Sequence, residues 1–267
     1  MSKQRLSSGR AGAVRPPPSD RRPKNHLLAA LPAKDFRRLL PYLTTVPIRL
    51  KQIIHTPGEP IRAVYFPNGG VASIATMLLD GTMVESTTVG NEGMLGIEAF
   101  LSADAVAPST SVVQVPDMHA EMLSVVDFRR EVATRGALHD LMGRYTQVLI
   151  AQLMQSTACS VRHQVQQRCA RWLLMTHDRM QEQDFNLSHE FLAVMLGVRR
   201  PTVSIAAAAL QEAGLIRYTH GRVTVRSRKG LKMASCECYS SIRAHFDRLR
   251  HYAAPVPLRQ GHQVLPR

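Results

Sequence analysis

Residues 187–215 read LSHEFLAVMLGVRRPTVSIAAAALQEAGL. Ser188 is placed to cap a helix, with Phe191, Leu192 and Met195 as its apolar face. Leu196-Gly197-Val198 ends that helix, because glycine takes the left-handed backbone of a sharp turn. Pro201 suits the first turn of a second helix, and Gly214 stops it. Ala193, Gly197 and Val203 supply a small contact residue, a bend and a β-branched lock. That is the steric requirement of a helix-turn-helix. The second helix is expected to expose Arg199, Arg200, Thr202 and Ser204 at the end that enters a major groove.

Downstream, residues 215–226 form two β-prone runs around a glycine-containing turn, the pattern of a wing. Arg222, Arg226, Arg228 and Lys229 are expected to neutralise phosphates, which position a protein on DNA while base contacts specify sequence. The candidate DNA-binding residues are Ser188, Arg199, Arg200, Thr202, Ser204 and Arg222.

Charge follows the same division. The chain has 267 residues, 45% apolar and 20% charged, with a net charge of +14. Residues 1–26 carry seven basic residues against one acidic, and 185–250 carry eleven against four. Between them, 27–184 is almost neutral. A neutral body with one basic block fits a polyanion that touches a single domain. The composition gives a real core and excludes global disorder. No apolar run reaches the length of a membrane span, and residues 1–26 lack the apolar segment of a secretory signal. Four cysteines are too few for a disulfide scaffold and point to reducing cytoplasm.

Residues 1–26 read as a disordered basic tail, and 27–44 as a short amphipathic helix broken by Pro32. Over 46–126, β-prone runs alternate with turn clusters at Thr56-Pro57-Gly58, Asn68-Gly69-Gly70, Asp80-Gly81 and Gly90-Asn91-Glu92-Gly93, the pattern of an all-β barrel or sandwich. Residues 137–160 form a long helix whose stripe Leu138, Leu141, Met142, Tyr145, Val148, Leu149, Gln152 is compatible with a paired-helix seam. Leu149, Ile150, Leu153 and Met154 make it apolar on more than one side, as expected of a helix serving both its own domain and a dimer partner. A further helix spans about 163–181.

With these pieces, the chain resembles the Crp/Fnr family of bacterial transcription regulators over about residues 27–235. The most specific segments are LSHEFLAVMLGVRRPTVS and LQEAGLIRYTHGRVTV; VYFPNGGVAS, VGNEGMLGIEAF and RCARWLL add to them. The resemblance implies an α+β protein: a double-stranded, jelly-roll-like β-roll sensor over 27–126, a linker and dimerisation helix over 127–161, and a winged helix-turn-helix over 162–235. A C-terminal helix and tail follow over 236–267. It implies a homodimer on palindromic double-stranded DNA, with room for RNA polymerase as a partner, and no enzymatic role. Cyclic-AMP-binding members resemble one another in G-E-L-G with a downstream arginine; here the run is Gly93-Met94-Leu95-Gly96, and Pro108-Ser109-Thr110-Ser111 offers no arginine. A buried phosphate without its cation is strongly unfavourable, so no cyclic nucleotide is expected. No cysteine precedes Cys159, unlike the iron–sulfur members. Pro201 and Ile205 depart from the family's usual Glu and Arg, implying a different operator.

No cofactor or metal is expected. Cys236-Glu237-Cys238 supplies two thiols where a tetrahedral site needs four ligands; Cys159 and Cys169 read as packing residues. The competing class is a small-molecule-binding or metal-dependent, cupin-like β-barrel. That chemistry needs clustered histidines, whereas His55 and His119 stand alone.

Overall fold

A computed structural model describes residues 23–114, 118–180 and 184–251. Most of the basic tail, residues 1–22, and the stretch 252–267 lie outside the described residues. Asn25 caps α1 (His26–Ala30), its side-chain oxygen accepting the N–H groups of Leu27 and Leu28. Pro32 then stands at the N-cap of α2 (Ala33–Leu39), where its missing N–H costs nothing. The 27–44 segment is therefore two short helices split at the proline, both burying leucines.

Among the described residues, seven antiparallel strands follow: β1 (Thr44–Ile48), β2 (Ile53–His55), β3 (Ala63–Pro67), β4 (Ala72–Met77), β5 (Met83–Val89), β6 (Thr110–Val113) and β7 (Met118–Ser124), with the short α3 (Glu98–Leu101) between β5 and β6. They form two sheets, ordered β1-β7-β3 and β2-β6-β4-β5. Ile48, Met118 and Ala120 from the first sheet meet Ala72, Val89 and Val113 from the second. Two sheets sharing one core bury both inner faces, the two-layer solution for strands of alternating polarity.

Ser124 caps α4 (Val125–Ala133) through the Asp127 N–H. Helix α5 (Ala137–Arg162) is 26 residues long, about 39 Å at 1.5 Å per residue. Leu138, Leu141, Met142, Tyr145, Leu149 and Gln152, most of the stripe compatible with a dimer seam, are buried against the chain's own body. The apolar residues left exposed lie on another face: Ile150, Met154 and Val161. Their spacing of four and seven residues puts them in one line along the helix.

After α6 (Val165–Arg179) come β8 (Asp184–Asn186), α7 (His189–Leu196), α8 (Arg200–Glu212), the hairpin β9 (Ile216–Thr219) and β10 (Arg222–Val225), then α9 (Arg228–Ala234) and α10 (Cys238–His251). Strand β8, too short to be read from the sequence, pairs with β10 and makes the wing a three-stranded sheet, ordered β8-β10-β9. One continuous apolar core runs from the β-sheets through α5 and α6 to α7, α8 and α10. Among the described residues, no single helix is long and apolar enough to cross a membrane.

Candidate nucleic-acid interface

The Ser188 hydroxyl accepts the Phe191 N–H at 3.1 Å and so caps α7. Gly197 ends that helix at φ 61, ψ 41, a left-handed conformation that costs any other L-residue free energy. The chain bends by 105° before α8, within the range of DNA-binding helix pairs. Ala193 and Val203 are buried where the two helices meet. The turn is also held from behind: the Arg168 guanidinium on α6 donates to the Leu196 carbonyl at 2.6 Å.

At the opened end of α8, Arg199, Arg200 and Thr202 are exposed. Arg200 reaches back to Glu190 on α7, Nε to Oε1 2.7 Å, with both side chains largely in solvent. Ser204 is drawn inward instead, its hydroxyl 2.9 Å from Nδ1 of His189, which packs on the Tyr218 ring. Burial lowers the His189 pKa, helped by the Arg200 charge and opposed by Glu190. Ile205, noted above as a departure that implies a different operator, is 73% exposed one turn along the same surface. An apolar side chain there is the type that meets a thymine methyl.

The wing turns at His220 and Gly221, both with positive φ, as a tight two-residue hairpin turn requires. Arg222, directly after the turn, is ion-paired to Asp184 on β8. Arg226 and Lys229 are exposed. Arg228 is not a free phosphate ligand as the sequence suggested. Its Nη2 donates to Asp178 at 2.7 Å and to the Tyr239 hydroxyl at 2.6 Å, fastening α9 to α6 and α10.

The helix-turn-helix is docked on the sheet through α6 and α7. The Trp172 indole N–H donates to Glu85 Oε1 at 3.0 Å, and the Ser73 hydroxyl donates to the other oxygen. Met195 sulfur lies 3.3 Å from the Ser73 hydroxyl. Burial pushes the Glu85 carboxyl up to about 7, against the pull of those two hydrogen bonds and of Arg171 and Arg179. A carboxyl with a raised native pKa stabilises fully below its unfolded value and loses that contribution as pH rises through the native one. The shift from 4.5 is worth on the order of 3 kcal/mol. Denaturant midpoints of the wild type are therefore expected to fall as pH rises from about 4.5 to about 7 and to level off above, while Glu85→Gln, neutral throughout, shows no such fall. Parallel pH profiles for the two proteins would remove Glu85 as the cause.

A comparison with family models matches residues 167–234 to the Crp-like helix-turn-helix domain. The chain carries a Crp-like helix-turn-helix domain. Beyond that domain, the likeness to solved structures extends over 71–73% of this chain. FixK2 from Bradyrhizobium japonicum aligns with TM-score 0.59 at 17% identity, over 73% of this chain and 98% of its own. A CRP-family transcriptional regulator from Thermus thermophilus aligns with TM-score 0.59 at 22%, over 71% and 96%. The c-di-GMP-responsive global regulator CLP from Xanthomonas campestris aligns with TM-score 0.54 at 17%, over 73% and 99%. A sequence search of curated proteins gave no match. The α+β architecture of β-sheet domain, long helix and C-terminal helix-turn-helix is thus that of Crp/Fnr proteins. The cupin-like reading is not favoured: His55 is buried and bonded to the Ala63 carbonyl at 3.1 Å, and His119 is exposed on β7.

Proposed function

We propose that this chain is a sequence-specific DNA-binding transcription regulator that grips a two-fold operator as a homodimer. The observation that carries the reading is the N-terminal end of α8. There Arg199, Arg200 and Thr202 stand exposed beyond a left-handed glycine turn, on a Crp-like domain, within the most basic folded block of the chain. Arg200 is the base-reading residue: its fork exchanges the Glu190 carboxylate for the two acceptors on a guanine edge. Ser188 and Arg222 flank that contact, with Arg226 and Lys229 on phosphates. Ser204 contributes by way of His189 rather than by direct reach. Two α8 helices related by the dimer axis address half-sites one helical turn apart, about 34 Å.

The open face of α5, Ile150, Met154 and Val161, is the dimer seam. The β-sheet domain is the sensor, and it takes a signal other than cyclic nucleotide. Met94 is buried, and its carbonyl is held by the Tyr145 hydroxyl at 3.0 Å. The protein works in the cytoplasm, catalyses nothing, and acts on transcription with RNA polymerase as its eventual partner.

Genome-wide binding followed by footprinting tests the reading. A single enriched, two-fold-related motif is expected. Arg200→Ala should weaken the preferred site by about 1–3 kcal/mol and relax specificity at one base pair per half-site. Affinity should fall steeply with salt, because each neutralised phosphate releases counterions. An unchanged footprint for Arg200→Ala removes the groove assignment, and a flat salt response removes the binding mode.

A further inference from the structure

Cys159 and His163 lie one turn apart at the C-terminal end of α5. The turn between α9 and α10 brings Cys236 and Cys238 to the same place. One ligand atom from each of the four lies within 4.8 Å of all the others. Sγ of Cys159 and of Cys236 are 3.5 Å apart, and Sγ of Cys238 is 3.5 Å from Nδ1 of His163. A tetrahedron with metal–sulfur bonds of about 2.3 Å has edges of about 3.8 Å, so the four atoms already stand near the corners of such a site.

We propose that Cys159, His163, Cys236 and Cys238 bind one structural Zn²⁺ that clamps the end of the long helix to the base of the reading head.

Packing does not account for the cluster. Among the described residues, the three cysteines are buried as a group of their own, joined by no hydrocarbon side chain, unlike Cys169, which is buried within the main core. The surroundings are those of a metal site as well. The far nitrogen of His163, Nε2, lies 3.1 Å from a Glu237 carboxylate oxygen. Donation of that N–H to a carboxylate leaves the Nδ1 lone pair facing the sulfurs, the outer-shell arrangement that orients a ligating histidine. The Gln155 side-chain amide donates to Cys238 Sγ at 3.0 Å, as a thiolate would require. Arg168 interacts electrostatically with Cys159 and Cys236, and Arg171 with Cys159, offsetting the surplus negative charge of a three-thiolate zinc centre. Three sulfurs and one imidazole suit zinc, and four protein ligands leave no open position for substrate, so the site is structural. On binding, the thiols give up their protons to solvent as sulfur–metal bonds form. The sequence concealed this arrangement because more than seventy residues separate its two halves.

The test uses the full chain, purified under reducing conditions without chelator. Elemental analysis is expected to give about one zinc per chain. Exchange with Co²⁺ should produce the intense visible bands of a tetrahedral thiolate site. Cys236→Ser and His163→Ala should each lower the bound metal at least about tenfold, while His163→Cys, which builds a four-cysteine site, restores it. Cys169→Ala should leave the stoichiometry intact. Because a ligand variant can fail for lack of folding, the cobalt spectrum of the wild type decides independently. Wild-type protein that carries no zinc and gives no cobalt bands overturns the proposal. So does a Cys159–Cys236 disulfide, mapped by mass spectrometry, in the protein isolated under reducing conditions.

Discussion

Arg179→Met is expected to destabilise the protein by about 3–5 kcal/mol, read as a shift of the urea midpoint. The guanidinium is 5% exposed and its partner Glu92 9%, with Nη2 to Oε1 at 2.5 Å. Arg179 also donates to the hydroxyl and the carbonyl of Thr88, so one side chain from α6 satisfies three acceptors beneath the sheet. Access depends on Gly90, where a Cβ would collide with the Arg179 side chain. Methionine fills much of the volume but leaves the Glu92 carboxylate charged, buried and unpaired. That is the costly half of breaking a buried pair. Removing both charges, Arg179→Met with Glu92→Met, should recover most of the loss, since the intact pair gains little over an apolar replacement. A single-variant loss below about 1 kcal/mol would mean that water reaches the site and screens it.

The other large effect is on assembly. Glutamate at both Ile150 and Met154 should convert the proposed dimer to monomer in sedimentation, with the fold preserved, because both side chains already face solvent. Operator affinity should drop at least about 100-fold. Two linked reading heads gain an effective-concentration factor of about 10²–10⁴ that a single head lacks. The same charges at Leu141 or Leu149 would unfold the chain instead, since those positions are buried. Unaltered sedimentation of the double variant would place the dimer contact elsewhere.

These cases mark how far the sequence could be read. The helix-turn-helix was legible because its signals are local. A cap at Ser188, a left-handed glycine at 197 and a proline in the first turn of α8 act within a few residues of where they stand. The alternation of strands and turn clusters was legible for the same reason. Periodicity along α5 shows that a face is apolar but not what covers it. The stripe from Leu138 to Gln152 thus fitted a dimer seam, yet it lies against the chain's own core. Arg228 stood in a basic run and looked free until Asp178, fifty residues earlier, closed on it. The Arg179–Glu92 pair and the gathering of Cys159 with Cys236 join residues far apart in sequence, and composition carries no trace of either.

The protein has one tryptophan, and it sits where the reading head meets the sheet, its indole N–H bound to Glu85. Ultraviolet emission from the native chain therefore comes from that junction without labelling, free of any second indole. Whatever loosens the head from the sheet, whether an effector, a duplex or ionisation of the carboxyl that accepts the indole N–H, changes the polarity around a single fluorophore.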